Sequence, residues 1–329
     1  MAPMGGFYSP SSTLLISTAF TTAYVSSIYL FPASRVSSVS SRLVAPSTPS
    51  STSSTHAPIP PTAIPRDRNS PSVIRARLLA VTIVSCLACL SIRSLLQRYP
   101  PSLIHPPAST LLGLDLPTSA TKLFNLLTYP LGLTASLFLG SLYVAFLDGS
   151  LLPGQRGFRW RKMKDQFTSL QGIRNYIVGP WTEELVFRSA IISISALGGW
   201  YKKQLVFLTP LYFGIAHVHH AYEVYIGHGR TKQALVNGVL GSAFQFAYTT
   251  LFGWYAAFLF VRTGSILPSI LVHTFCNWWG LPPIVDALRV YPEKKIPILA
   301  SYVLGIATFS YGLFRWTEPR LFGGSWYWN

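Results

Sequence analysis

The stretch GPWTEELVFRSA, residues 179–190, sets Glu183, Glu184 and Arg188 in a run that is otherwise apolar, in a chain with only ten acidic residues among 329. An ionised side chain at the centre of a membrane helix costs about 2.5–3.5 kcal/mol on insertion scales. Glu184 and Arg188 are four residues apart, on one helix face, and can neutralise each other. Glu183 points about 100° away around the helix and must find a partner on another helix, bind a proton or a metal, or hold water. Two other apolar runs carry similar groups. LYFGIAHVHH places His217 one turn after Phe213, and LPSILVHTFCNWWG places His273 and Asn277 four apart on one face. Taken singly, each has a structural reading: a Glu–Arg clamp, or a hydrogen-bonded core histidine. Three helices each bringing such groups in so uncharged a chain point instead to one shared, wet cavity.

Glu183 suits a general base that takes a proton from water, and His217 can hold the same water or protonate a leaving amine. The attack makes an oxyanion, for which the Asn277 amide and a His273 N–H, one turn apart, are suitable donors. The set describes a water-activating amide hydrolase without a covalent intermediate. A zinc site from Glu183, His217 and His273 is the alternative, since three ligands plus water is the catalytic pattern, although the short H-E-x-x-H spacing is absent. Cys276 as a thiol nucleophile is disfavoured, because it shares a helix with His273 at i, i+3 and no third group orients the imidazole. His219 and His220 read as residues of the membrane edge.

The elements that must position these groups are membrane helices. Half of the residues are hydrophobic and 11% are charged, where a soluble domain carries about 25% charge. About eight apolar segments approach the roughly 20 residues a span needs: 12–31, 78–97, 124–147, 173–197, 204–220, 234–261, 266–281 and 297–315. They predict an all-α polytopic bundle. The organisation is a first transmembrane segment (1–32), a disordered, basic, Ser/Pro-rich loop (33–76), a core (77–316) and a short C-terminal tail (317–329). The net charge of +16 falls mostly between apolar runs, which suits anionic lipid rather than nucleic acid. Cys86, Cys89 and Cys276 all lie in apolar runs and offer no disulfide framework. Loops 33–76, 148–172, 221–233 and 282–296 are the richer in Lys and Arg, so they are expected in the cytosol with both termini across the membrane. At 1.5 Å rise per residue, Glu183 then lies about 13 Å in from Arg174 and His273 about 12 Å from its cytosolic end, both in the cytosolic half.

Glu-Glu-x-x-x-Arg at 183–188, Phe-x-x-x-His at 213–217 and His-x-x-x-Asn at 273–277, in that order in a multispanning chain, resemble the type II CAAX prenyl endopeptidases. The resemblance implies an endoplasmic reticulum enzyme that removes the last three residues from farnesylated or geranylgeranylated CAAX proteins. It implies that Glu183 and His217 activate water, that His273 and Asn277 bind the oxyanion, and that Glu184 and Arg188 support them, with no cofactor. The Ser/Pro-rich insert is not part of that pattern. A non-catalytic membrane scaffold and a proton-coupled transporter are the rival readings.

Overall fold

The computed structural model describes residues 8–35, 68–98 and 106–328; most of the Ser/Pro-rich loop lies outside them. Among the described residues the structure is helical throughout, with no strand. The principal helices are α1 (Pro10–Leu30), α2 (Pro71–Leu96), α3 (Ala120–Leu137), α4 (Leu139–Leu147), α5 (170–197), α6 (Lys202–Phe207), α7 (Pro210–Ala216), α8 (His219–Gly227), α9 (Lys232–Thr263), α10 (Leu267–Trp279) and α11 (Lys295–Arg315). Four stretches are long and apolar enough to cross a membrane: Pro10–Leu30, Pro71–Leu96, Lys232–Thr263 and Pro292–Arg315. The pair α3 and α4, bent by 72°, makes a fifth if it counts as one span. The other expected spans are helical but broken or short. The 204–220 segment is divided among α6, α7 and α8, and α10 has 13 residues, about 20 Å against a hydrocarbon core of about 30 Å. Helix α2 starts at Pro71, inside the expected loop. Proline at the first helical turn spends no hydrogen bond, since that N–H has no partner anyway.

The burial pattern is that of a protein whose outside is lipid. On α1 the inward face is made of Thr13, Ser17, Thr21, Tyr24 and Ser27, while Leu15 is 72% exposed. Small and polar side chains let helix backbones approach closely, and leucines face hydrocarbon that is as apolar as they are. Glycines do the same between α11 and the bent pair. The Tyr302 ring of α11 lies where a side chain on Gly140 would stand, and a Cβ on Gly305 would meet Ser136 O at 2.5 Å. Gly305→Ala is therefore expected to force α11 off the α3–α4 bend, at a cost of roughly 1–3 kcal/mol, read as a lowered unfolding temperature in detergent.

The C-terminal residues are more than the expected tail. Thr317, Phe322, Ser325 and Tyr327 are buried. Tyr327 donates to Leu111 O, and Arg262 Nε donates to Thr317 O at 2.8 Å. The chain end thus closes the bundle across α9.

Helix α5 carries the acidic pair, and its backbone is irregular for a reason the sequence supplies. It alternates α and π turns: Leu170–Gly172 is α, Ile173–Val178 π, Gly179–Glu184 α, Leu185–Ala190 π and Ile191–Leu197 α. Pro180 has no N–H to give Tyr176 O. The preceding π turn sends the Gly179 N–H to Arg174 O, which frees Asn175 O as well. Both freed carbonyls are taken by α10. Thr274 Oγ1 donates to Tyr176 O at 2.8 Å and Asn277 Nδ2 to Asn175 O at 2.9 Å. The interruption in one helix is the docking point for the other, a use of π turns common at functional sites.

Candidate active site

The docking of α10 on α5 brings the polar groups together. His273 is buried. Its Nδ1 lies 2.7 Å from Glu184 Oε1, and its Nε2 lies 3.5 Å from Glu183 Oε2. A carboxylate only accepts, so Nδ1–H donates to Glu184 and Nε2 turns toward Glu183. Glu184 also pairs with Arg188 at 3.1 Å, both fully buried. The Arg188 guanidinium lies 4.3 Å from the Phe213 ring centroid and 5.5 Å from that of Phe252, so two aromatic faces replace the water it lacks. His273 packs on the same two rings, with centroids 4.8 Å from Phe252 and 6.0 Å from Phe213.

His217 caps α7, where its Nδ1–H donates to Phe213 O at 2.7 Å, leaving Nε2 with its lone pair. Glu183 is 24% exposed, unlike Glu184 beside it, and that exposure is to a cavity. Tyr24 of α1 and Ser85 of α2 hold its helix from behind. The Tyr24 and Thr182 hydroxyls share a 3.0 Å hydrogen bond, and Ser85 Oγ donates to Thr182 O at 3.1 Å.

Glu183, His217, His273 and Asn277 all line one cavity of about 530 Å³. A second, of about 180 Å³, shares Glu183, His217 and Asn277 with it. The larger is walled by Phe138, Phe213, Tyr248, Phe252 and Cys276, with Arg68 and Gln245 among them; the smaller sets Arg68, Arg77 and Arg174 beside Val25, Ile28, Leu78 and Val81. Arg77 also latches the mouth, where its Nη2 pairs with Glu223 Oε1 at 2.7 Å. Burial raises the Glu223 carboxyl, but the His220 hydrogen bond and the Arg77 charge outweigh it and bring it down to about 2.

Each of the six residues singled out in the sequence lies in this cluster, but two engagements differ from expectation. The His273 N–H seen by hydrogen bonding points away from the cavity, to Glu184, because that acid is the nearer acceptor. Asn277 spends one amide hydrogen on Asn175 O and keeps the other. The basic residues Arg68, Arg77 and Arg174 were not anticipated as site residues, and neither was Phe252. Their only sequence signal is their place beside apolar runs.

The zinc alternative gets mixed support from this geometry. His217 turns a bare Nε2 inward, and the Glu184–His273 contact is the usual outer partner of a ligating histidine. However, among the described residues the group of three whose ligand atoms lie within 4.8 Å of one another is His219, His220 and Glu223, not Glu183, His217 and His273. The latter set does not close around one ion as it stands.

An acid, two imidazoles and a carboxamide brought by three helices to one cavity, in a bundle of apolar helices, fit the class of membrane-embedded hydrolases. The sequence profile described as type II CAAX prenyl endopeptidase Rce1-like matches residues 165–279, the stretch that holds all six residues. The chain is 38% identical over 270 residues to CAAX prenyl protease 2 of Homo sapiens, covering 79% of this chain and 76% of the relative. It is 32% identical over 314 residues to the probable CAAX prenyl protease 2 of Schizosaccharomyces pombe, covering 93% and 97%. Comparison with solved structures yields no match. The chain belongs to the type II CAAX prenyl endopeptidase family.

Proposed function

We propose that this protein removes the C-terminal tripeptide from prenylated CAAX proteins by direct attack of water. The observation that carries the reading is the meeting of Glu183, His217 and His273 around one cavity walled in part by aromatic rings. Water donates one hydrogen to Glu183 and the other to the His217 Nε2 lone pair. Glu183 takes the proton as oxygen attacks the scissile carbonyl. The free Asn277 amide hydrogen meets the developing oxyanion. His273, with Nε2 3.5 Å from Glu183 Oε2, lines the pocket beside it. The proton taken from water ends on the departing amine. The aromatic cavity suits the prenyl chain, and the arginine-lined one suits the free carboxylate of the released tail.

The protein works in this reading without a metal held by Glu183, His217 and His273. It sits in the endoplasmic reticulum membrane with the site facing the cytosol, and the short helices α6, α7 and α10 complete eight crossings with the longer ones. Anionic lipids meet the basic loops.

The test is purified protein in detergent on a farnesylated CAAX peptide, followed by mass spectrometry. Release of an intact tripeptide is expected, lost in His217→Ala, retained in Cys276→Ala and undiminished by a zinc chelator. A scaffold or transporter would release nothing. Loss of activity on chelation, restored by zinc, would favour the metal mechanism, and loss in Cys276→Ala would favour the thiol.

A further inference from the structure

The helix that follows the catalytic histidine carries a second cluster that hydrolysis does not use. His219, His220 and Glu223 lie on α8 at i, i+1 and i+4, and each offers one ligand atom within 4.8 Å of the other two. The hydrogen bonds decide which atoms are offered. His219 Nδ1–H donates to Ala216 O at 2.5 Å. Its Nε2 is left with a lone pair, buried and with no hydrogen-bond partner. A buried acceptor without a partner normally signals something unaccounted for, such as a water or an ion. A backbone carbonyl on Nδ1 is also what fixes the tautomer of a metal-binding histidine. His220 Nδ1–H donates to Glu223 Oε2 at 3.2 Å; an ion that replaces this proton would sit between the two atoms, whose separation is close to the roughly 3.3 Å between two ligands on a tetrahedral ion with bonds of about 2.0 Å. The other carboxylate oxygen, Oε1, is already held by Arg77 at 2.7 Å and by the Tyr29 hydroxyl at 3.3 Å. The carboxylate is thus oriented from behind while Oε2 faces the imidazoles.

We propose that His219 Nε2, His220 Nδ1 and Glu223 Oε2 form a binding site for one divalent transition-metal ion of the zinc class, at the mouth of the active-site cavity and distinct from the hydrolytic centre. Two imidazoles and one carboxylate are the donor set such ions take, with a fourth position left for water. The Arg77 guanidinium on the far side of Glu223 repels the ion and keeps the affinity moderate. The consequence for catalysis is inhibitory. His219 and His220 line the same cavity as Glu183 and His217, and the His217 and His220 ring centroids are 6.0 Å apart. An ion and its bound water placed there occupy the wall of the cavity in which Glu183 and His217 hold the attacking water, and obstruct the approach of substrate.

The test uses the full-length protein in detergent, stripped by chelation and titrated with zinc sulfate. Bound zinc is read by equilibrium dialysis and elemental analysis, and cobalt(II) absorption reports the geometry. One ion per chain is expected, weakened at least tenfold by Glu223→Gln, which keeps an acceptor for Arg77, and by His219→Phe, which keeps a ring. Glu183→Gln is expected to bind zinc as the unaltered protein does. Where hydrolysis is measured, zinc inhibits the unaltered protein and loses this effect in the two site variants, each compared with its own metal-free rate. Binding that disappears in Glu183→Gln but survives Glu223→Gln and His219→Phe would overturn the proposal, and so would no saturable binding up to millimolar zinc. The binding arms do not depend on the protein being a hydrolase, so their failure and the failure of the proposed function are separable.

Discussion

Glu183→Gln is expected to lower the hydrolysis of a farnesylated CAAX peptide by about 10²–10⁴-fold or more, the share a positioned general base supplies, while leaving the folded protein intact. Glutamine has nearly the volume of glutamate and still accepts a hydrogen bond, but it cannot take the proton of water. The structure gives no reason for the fold to suffer. Glu183 is 24% exposed to the cavity, its ion-pair neighbour among the described residues is His273 at 3.5 Å, and the backbone contacts that hold its helix are made by Thr182, Tyr176 and Asn175. Removing a charge from so apolar a setting is expected to leave the unfolding temperature equal or higher, the usual relation between an active-site acid and stability. Kinetics and thermal unfolding on one preparation check both halves. A variant that folds and still cleaves at the normal rate would end the role of Glu183 as the base.

How much of this was legible beforehand depends on what each feature costs. Glu183, Glu184, Arg188, His217 and His273 stand out in the sequence because a charged or titratable group in an apolar run is expensive, and the expense is visible residue by residue. The helical class was legible for the same reason, since long apolar runs leave the backbone no other way to satisfy itself in lipid. Span boundaries were less so. Hydropathy cannot distinguish one rod from α6, α7 and α8 end to end, because the breaks at Thr209 and His217 are set by local geometry within apolar or aromatic surroundings. The docking of α10 was invisible as well. It depends on a π turn that shifts one N–H by a residue and on the missing N–H of Pro180, and the side-chain pattern hardly registers either. In the sequence His219 and His220 have the look of membrane-edge residues and Glu223 has no signal, because spacing alone says nothing about which imidazole nitrogen is free.

Glu184 was expected to act as the partner of Arg188, and the structure gives it a second task that a double substitution can separate from the first. Its Oε1 receives both the Arg188 guanidinium, at 3.1 Å, and His273 Nδ1, at 2.7 Å. Glu184→Met alone strands the Arg188 charge among Phe213, Phe252 and Gly253. Breaking a buried pair from one side costs about 3–5 kcal/mol, so this variant is expected to unfold at a markedly lower temperature. Glu184→Met with Arg188→Met replaces the whole pair by apolar groups of similar size, which is often neutral or stabilising. The double variant is therefore expected to recover most of the lost stability. It is not expected to recover activity, because no acceptor remains to fix the tautomer and tilt of His273. Loss of such an outer partner costs about 10–100-fold. If Glu184 served only to neutralise Arg188, stability and hydrolysis would return together in the double variant. A stable protein with hydrolysis still depressed would instead assign Glu184 to positioning His273, and so would a pH profile altered from that of the unsubstituted chain.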